Sequence, residues 1–272
     1  MNAIILSDGK VVPHLDPGDR GLAYGDGVFE TLLVNKALPA WWGRHWNRLL
    51  RGTTSLGIPA PSEVAVRRAC ATLMKAEPGA CVLKIICTRG VGGRGYRPSA
   101  SATPTVIVST HPEPDPVGPV DLRWCQTPWA IQPRLAGIKH LNRLEQVLAR
   151  AEWDDPGIFD GIVRDTEDRV VSATSANLFA LVGGRWLTPR LDRCGIAGIV
   201  RGWLLDEVPE AAQADLSAIE VSHADALFLC NAVRGILPVR RLGLRDWPLH
   251  PAITALRRKL AVANPAFVFE ES

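Results

Sequence analysis

Lysine is scarce in this chain. Six of its 31 basic residues are lysines (Lys10, Lys36, Lys75, Lys84, Lys139, Lys259), so arginine is the default cation and each lysine stands out. The six cysteines show no CxxC spacing and most sit in apolar runs such as CVLKIIC and ALFLC, which reads as reduced core residues and excludes a disulfide framework. The six histidines have no metal-ligand spacing, so no metal is expected, and His45 and His140 read as packing or capping residues. No apolar run approaches the roughly 18 residues of a membrane span. The start, MNAIILSDGK, lacks the basic and apolar regions of a signal peptide, so a cytoplasmic protein with no membrane partner is expected. Nor is charge of one sign concentrated anywhere. With 31 basic and 28 acidic residues spread along the chain and a formal charge of +3, there is no basic stripe to meet a phosphate backbone, and nucleic acid is not an expected partner.

What is present is ordinary globular material: 272 residues, 47% of them hydrophobic, enough for a sizeable core in one or two domains. AIIL and GDGVFETLLV read as strands, followed by a strand or turn at ALPAW. A helix is expected from about His45 to Leu56, with Gly57 stopping it, and a second from about Ser62 to Ala76, ended by Pro78-Gly79. CVLKIICTR and TPTVIVST are strong strands. HPEPDPVGP has too many prolines to pair or coil, which predicts a linker over 111–119 between a domain at 1–110 and a larger one at 120–272. Beyond it, DLRWCQ reads as a strand. Asn142 is placed to cap a helix whose Leu144, Val147, Leu148 and Ala151 share a face. A β-meander with a turn at Gly183-Gly184, a helix from about Gly198 and a strand at ALFLC complete the pattern. The class is α+β in two domains. Nine tryptophans, Trp41 and Trp42 adjacent, suggest apolar surface for a subunit interface.

Four stretches carry candidate chemistry. In AGIKHLNRLEQVL, Lys139 lies among Leu135, Ile138 and Leu141. It is either a solvated surface lysine or a nucleophile whose amine is made reactive by desolvation. LDRCGIAGIVRGWLL opens through a glycine-flanked turn into a helix, leaving backbone N–H groups near Ile196 and Ala197 for a phosphate or serving as plain helix entry. LCNAVRGILPV puts Asn231 and Ala232 in a tight turn at a strand end, and RHWNRLL offers Arg48 as a charged partner for a dianion. An amine, two such turns and an arginine together describe pyridoxal 5'-phosphate bound through a lysine.

The segments DRGLAYGDGVFET, RGVGGRGY, AGIKHLNRLEQVLAR, SANLF, TPRLDRCGIAGIVRG and CNAVRGILPV, in this order from about residue 19 to 239, resemble the class-IV aminotransferase family. That resemblance implies the two-domain fold type IV architecture of the pyridoxal phosphate enzymes, shared with the D-amino-acid and branched-chain aminotransferases, with the lysine on the C-terminal domain. RGVGGRGY and IKHLNRLEQVL are most similar to the lyase branch of the family, which acts on 4-amino-4-deoxychorismate and makes 4-aminobenzoate and pyruvate for folate. It further implies Lys139 as the Schiff-base lysine and proton carrier and Arg48 as a phosphate ligand. The backbone at Ile196, Ala197 and Ala232 and the Asn231 side chain complete the phosphate cradle, and Asn177 of the ANLF motif lies at the cofactor. By the same resemblance Arg94 and Tyr96 lie near a dicarboxylate substrate, Thr31 is a further catalytic hydroxyl, and the chain is a homodimer.

One departure is clear. The family places a glutamate five residues before the Asn of ANLF, beside the pyridine nitrogen, and here that position is Ser172. A neutral hydroxyl stabilises a pyridinium less than a carboxylate does, so the ring becomes a weaker electron sink. A transaminase depends on that sink, whereas an elimination that creates an aromatic ring has its own driving force. The alternatives are an aminotransferase, whose relatives carry a tyrosine five residues after the lysine where this chain has Leu144, and a catalytically impaired paralogue that still binds the coenzyme.

Overall fold

Alternation of apolar residues at every second position builds the first sheet. On β3 (Gly27–Val34), Val28, Leu32 and Val34 face the core; on β4 (Cys81–Thr88), Leu83, Ile85 and Cys87 do the same. The computed structural model describes residues 2–35, 41–77, 79–99 and 101–267. Its residues form two compact units, 1–114 with 138–142, and 115–137 with 143–272.

In the first unit, β1 (Ala3–Ser7), β2 (Lys10–Val12), β3, β4 and β5 (Thr105–Pro112) form an antiparallel sheet in the order β2-β1-β5-β4-β3. Three helices accompany it: α1 (Arg20–Tyr24), α2 (Trp42–Leu56) and α3 (Glu63–Met74). Trp42, Trp46 and Leu49 of α2 and Val66, Ala69 and Leu73 of α3 pack against Val28, Leu32, Leu83 and Val108. Gly57 ends α2 in the left-handed conformation, φ 64°, and its N–H closes on the carbonyls of Thr53 and Thr54. Ser62 caps α3 through its Oγ, which accepts from the Ala65 N–H at 3.3 Å. Trp41 and Trp42 do not form an interface surface; both are buried in this chain, and Trp42 stacks on Trp46 and donates to Glu63 Oε1 at 2.8 Å. Most of the strand or turn expected at ALPAW, residues 37–40, and Pro78 lie outside the described residues.

The second unit is built on a nine-stranded sheet. Its strands are β6 (Val120–Trp124), β7 (Asp160–Arg164), β8 (Val170–Ala173), β9 (Asn177–Val182), β10 (Arg185–Pro189), β11 (Ala211–Ala214), β12 (Ala226–Asn231), β13 (Gly235–Leu242) and β14 (Arg245–Asp246). The order is β11-β10-β9-β12-β13-β6-β7-β8, with β14 on β13. Gly183 and Gly184, both at positive φ, turn β9 into β10 as a two-residue hairpin needs. The helices are α4 (Leu144–Arg150), α5 (Ile199–Glu207), α6 (Ala218–His223) and α7 (Pro251–Ala263). The sequence reading passed over α7, although His250 accepts from the Ala252 N–H and Pro251 occupies its first turn.

Three differences from expectation bear on the site. The chain passes from one unit to the other at Pro114 and Asp115, inside the stretch read as a linker, but its first two residues belong to β5 because Val82 and Cys81 extend the ladder to His111 and Pro112. Lys139 does not group with the C-terminal unit. The Phe29 N–H donates to the Lys139 carbonyl and the Leu141 N–H to the Gly27 carbonyl, both at 2.9 Å, which ties 138–142 to β3. Asn142 does not cap α4: its Nδ2 donates to the Gly25 carbonyl at 3.1 Å, and Arg143 takes the N-cap position, where its side chain does not close on the helix's first N–H groups. The apolar stripe of α4 is exposed within this chain, Leu144 at 76% and Leu148 at 59%, while Ala149 is buried. Helical spacing identifies a shared face but does not say which face is covered.

Candidate active site

Lys139 is held by backbone. Its segment runs antiparallel to the start of β3, with His140 opposite Val28, and the approach is close enough that Gly27 has no room for a side chain: a Cβ there would lie 2.6 Å from the Cys87 carbonyl oxygen and 2.8 Å from Leu141 Cδ1. Gly52 of α2 permits a similar approach, since a Cβ would lie 2.8 Å from Val28 Cγ1 and 3.2 Å from Ile138 Cγ2. The lysine Nζ sits 4.2 Å from the centroid of the Phe29 ring, a cation–π contact. Phe29 and Thr31 alternate with Val28 and Glu30 on β3, so the Thr31 side chain projects to the same side as Phe29.

On the core side of β3 lies a charged cluster. Glu30, buried, accepts from Arg48 Nε at 2.7 Å and Arg48 Nη2 at 2.6 Å, a bidentate pair, and its Oε2 meets His45 Nδ1 at 2.7 Å. Burial alone raises a carboxyl's pKa, but the Arg48 charge and hydrogen bonds, with the His45 bond, pull Glu30 down to about 2. As an ionised acceptor it fixes the His45 tautomer with the proton on Nδ1. Burial, ahead of the neighbouring Arg48 and Lys139 charges, lowers the His45 pKa and keeps the ring neutral. The cluster is legible in part: the sequence offers Arg48 as a cation and His45 as a packing or capping residue, but not Glu30 as the partner they share.

Arg94 and Tyr96 belong to the loop after β4. Arg94 is exposed, as is Tyr96 at 85%. The loop backbone is tethered by the buried Arg20, which donates to the Gly95 and Tyr96 carbonyls at 2.9 and 3.0 Å and to Asp26 at 2.9 Å. Tyr24 meets the Tyr96 ring edge-on at 5.5 Å.

The remaining expected residues lie in the second unit. Gly195, at φ 86°, makes the turn before α5; the Gly137 N–H donates to its carbonyl, and the Ala197 N–H donates back to the Gly137 carbonyl at 3.1 Å. Ala197 N–H is thus engaged with Gly137. The Ile196 N–H has no hydrogen-bond partner among the described residues, while its carbonyl accepts from Asn177 Nδ2 at 2.9 Å. Gly198 opens α5 with no side-chain cap, and a Cβ there would sit 2.0 Å from Asn177 Oδ1. In the turn after β12, Asn231 Oδ1 accepts from the N–H groups of Val233 and Arg234 at 3.0 and 2.8 Å, so this side chain shapes the turn; the Ala232 N–H is unpaired among the described residues. Ser172, buried on β8, donates to the Ala173 carbonyl at 2.8 Å. The acids on β7 and just beyond it are bound elsewhere, Asp160 by Thr174 and Ser175 and Asp165 by Arg169. Among the described residues no group of His, Cys, Asp and Glu could hold a metal ion, and no helix is long and apolar enough to cross a membrane.

Comparison with known proteins adds the lineage. An aminodeoxychorismate lyase of Vibrio harveyi is 34% identical over 91% of this chain and 94% of its own length. The crystal structure of 4-amino-4-deoxychorismate lyase from Pseudomonas aeruginosa superposes with a TM-score of 0.88 at 42% identity, covering 95% of this chain and 98% of that one. The branched-chain amino acid aminotransferase of Escherichia coli shares the fold, with a TM-score of 0.81 at 20% identity over 99% of this chain and 97% of its own. The architecture is therefore that of fold type IV. With the family of class IV amino-transferases matching residues 27–242, the chain belongs to that family.

Proposed function

We propose that this protein is a pyridoxal phosphate-dependent lyase that converts 4-amino-4-deoxychorismate to 4-aminobenzoate and pyruvate. The observation that carries the reading is the placement of Lys139, whose backbone is bonded to β3 and whose Nζ is held over Phe29 on the same side of the sheet as Thr31. The similarity to two lyases over nine-tenths or more of the chain supports the substrate.

The residues present fit the coenzyme. The unpaired N–H groups of Ile196 and Ala232 and the uncapped start of α5, all in the second unit, are donors suited to a phosphate, and the family resemblance assigns Arg48 as its cation. Bound there, pyridoxal phosphate supplies the electron sink for the carbon next to the substrate nitrogen. Lys139 would hold it through Nζ, and the same amine is the group that would act as general base toward the carbon next to the substrate nitrogen. The Glu30 carboxylate fixes the plane of the Arg48 guanidinium, so this cation needs no reordering when the anion arrives. Asn177 holds the Ile196 peptide in orientation, and Ala197 does so through Gly137. Thr31 is the hydroxyl placed to assist proton delivery to the departing enolpyruvyl group, and Arg94 and Tyr96 are the substrate-side residues of the tethered loop.

Ser172 supports the lyase over the aminotransferase. Its hydroxyl is engaged with a backbone carbonyl, and no carboxylate stands at its position. A weak sink slows storage of a carbanion more than an elimination driven by aromatisation. A homodimer in the cytoplasm, with no nucleic-acid or membrane partner, completes the proposal. Pyruvate release from 4-amino-4-deoxychorismate by the purified protein, absent in Lys139→Ala, is the expected result; keto-acid-dependent amino transfer without pyruvate, or pyruvate release untouched in Lys139→Ala, refutes it.

A further inference from the structure

The second unit buries a cation of its own. Arg201, in the first turn of α5, is 5% exposed, and its hydrogen bonds all go to neutral groups. Its Nε donates to Thr188 Oγ1 at 3.2 Å, and its Nη2 to the Pro189 carbonyl and to Gln213 Oε1, both at 2.8 Å. Among the described residues no carboxylate stands at ion-pair distance from it. A buried charge without a counter-ion costs free energy, and a cation at this end of a helix also faces the positive pole of the dipole. Nothing in α5 offsets that: its first turn has no acidic residue, and Gly198 makes no side-chain cap.

The surroundings of Arg201 are those of the unpaired N–H groups. Thr188 donates in turn to the Leu178 carbonyl at 2.8 Å, and the residue before Leu178 is Asn177, whose amide holds the Ile196 carbonyl. On the other side, the Arg201 charge acts on the Cys230 thiol, against the larger effect of burial. Cys230 lies opposite Asn177 in the β9–β12 ladder and two residues before Ala232. One buried cation thus lies beside the segments that carry both unpaired donors.

We infer that Arg201 is a positioning residue of the coenzyme's phosphate site, holding the start of α5 through its neutral partners and supplying, from behind the N–H donors, a positive charge whose counter-ion is the bound phosphate. The inference rests on the coenzyme reading. A brace between α5, β10 and β11 needs hydrogen bonds but no charge, so the charge is what the phosphate explains. Sealed from water, it is screened little by salt and attracts the anion without touching it.

Pyridoxal, which lacks the phosphate, separates charge from bracing. The coenzyme-free chain is titrated with pyridoxal 5'-phosphate and, separately, with pyridoxal, each followed by the visible absorption of the bound form. In Arg201→Met the affinity for pyridoxal 5'-phosphate is expected to fall roughly tenfold or more, with that for pyridoxal held within about twofold. Arg201→Lys keeps the charge and gives up part of the hydrogen bonding, so the ratio of its two affinities stays within about threefold of the unaltered chain's, whether or not Arg201→Met folds. Equal losses for the two ligands, no loss in Arg201→Met, or a ratio that falls about tenfold in Arg201→Lys overturns the inference. An unaltered chain that binds neither ligand refutes the coenzyme reading itself, and the inference with it.

Discussion

Replacing Glu30 by Gln removes the carboxylate that pairs in bidentate fashion with the buried Arg48. The carboxyl titrates near 2 in the folded chain against an ordinary 4.5, a displacement worth roughly 3 kcal/mol of folding free energy at neutral pH. A second route gives a similar figure: breaking a buried pair and leaving its partner charged costs about 3–5 kcal/mol. Because the folded pKa is the lower one, this stability is fully present above about pH 4.5 and is lost as pH falls toward about 2. The Glu30→Gln chain therefore unfolds at lower urea than the unaltered chain at pH 7, and the gap narrows as the pH is lowered through that window. Urea titration of the coenzyme-free protein at pH 7, 4 and 3, read by tryptophan fluorescence, measures it. Trp42 and Trp46, packed in the same core as α2, supply the signal. A gap below about 1 kcal/mol at pH 7, or one that widens on acidification, refutes the assignment of Glu30 as the anchor of Arg48.

Three further outcomes follow from particular contacts. Gly27→Ala forces a methyl to within 2.6 Å of the Cys87 carbonyl oxygen, so it is expected to destabilise the chain by about 2 kcal/mol or more in urea and to weaken coenzyme retention; a change under about 0.5 kcal/mol contradicts the packing argument. Ser172→Glu returns the carboxylate that the family carries at this position and is expected to raise keto-acid-dependent amino transfer more than pyruvate release; a large gain in lyase rate with no rise in transamination goes against the electron-sink reasoning. Burial pushes the thiols of Cys70, Cys87, Cys125, Cys194 and Cys230 up to about 12, and all six cysteines are buried, so a disulfide reagent at pH 8 should label none in the folded chain and six in guanidinium. Rapid labelling of the folded chain would show otherwise.

Local pattern and chemistry carried the sequence reading well where the physics is local. Gly57 as a helix stop and Gly183-Gly184 as a hairpin follow from backbone conformations that few residues allow, and both stand as expected, as does a helix starting near Ser62. The scarcity of lysine drew attention to Lys139, and the ordered motifs from residue 19 to 239 led to the family. Burial and partnership were less legible. Arg48 appears in the sequence as a free cation, but a strand 18 residues earlier in the chain brings Glu30 against it. Asn142 has the chemistry of a helix cap, but a nearer acceptor, the Gly25 carbonyl, takes its amide.

The sequence by itself determined the reduced thiols, most of the longer strands and helices, the family and the choice of Lys139, because composition, periodicity and motif order are properties of the chain taken in order. Only the tertiary structure decided that residues 138–142 join β3, that the stripe on α4 faces outward in this chain, that Ala197 and Asn231 satisfy backbone groups, and that Lys84 shares a ring with Lys139. Apart from the local Asn231 turn, each depends on where segments separated by tens of residues come to lie. Strand register, which no single segment encodes, fixes which side chains meet.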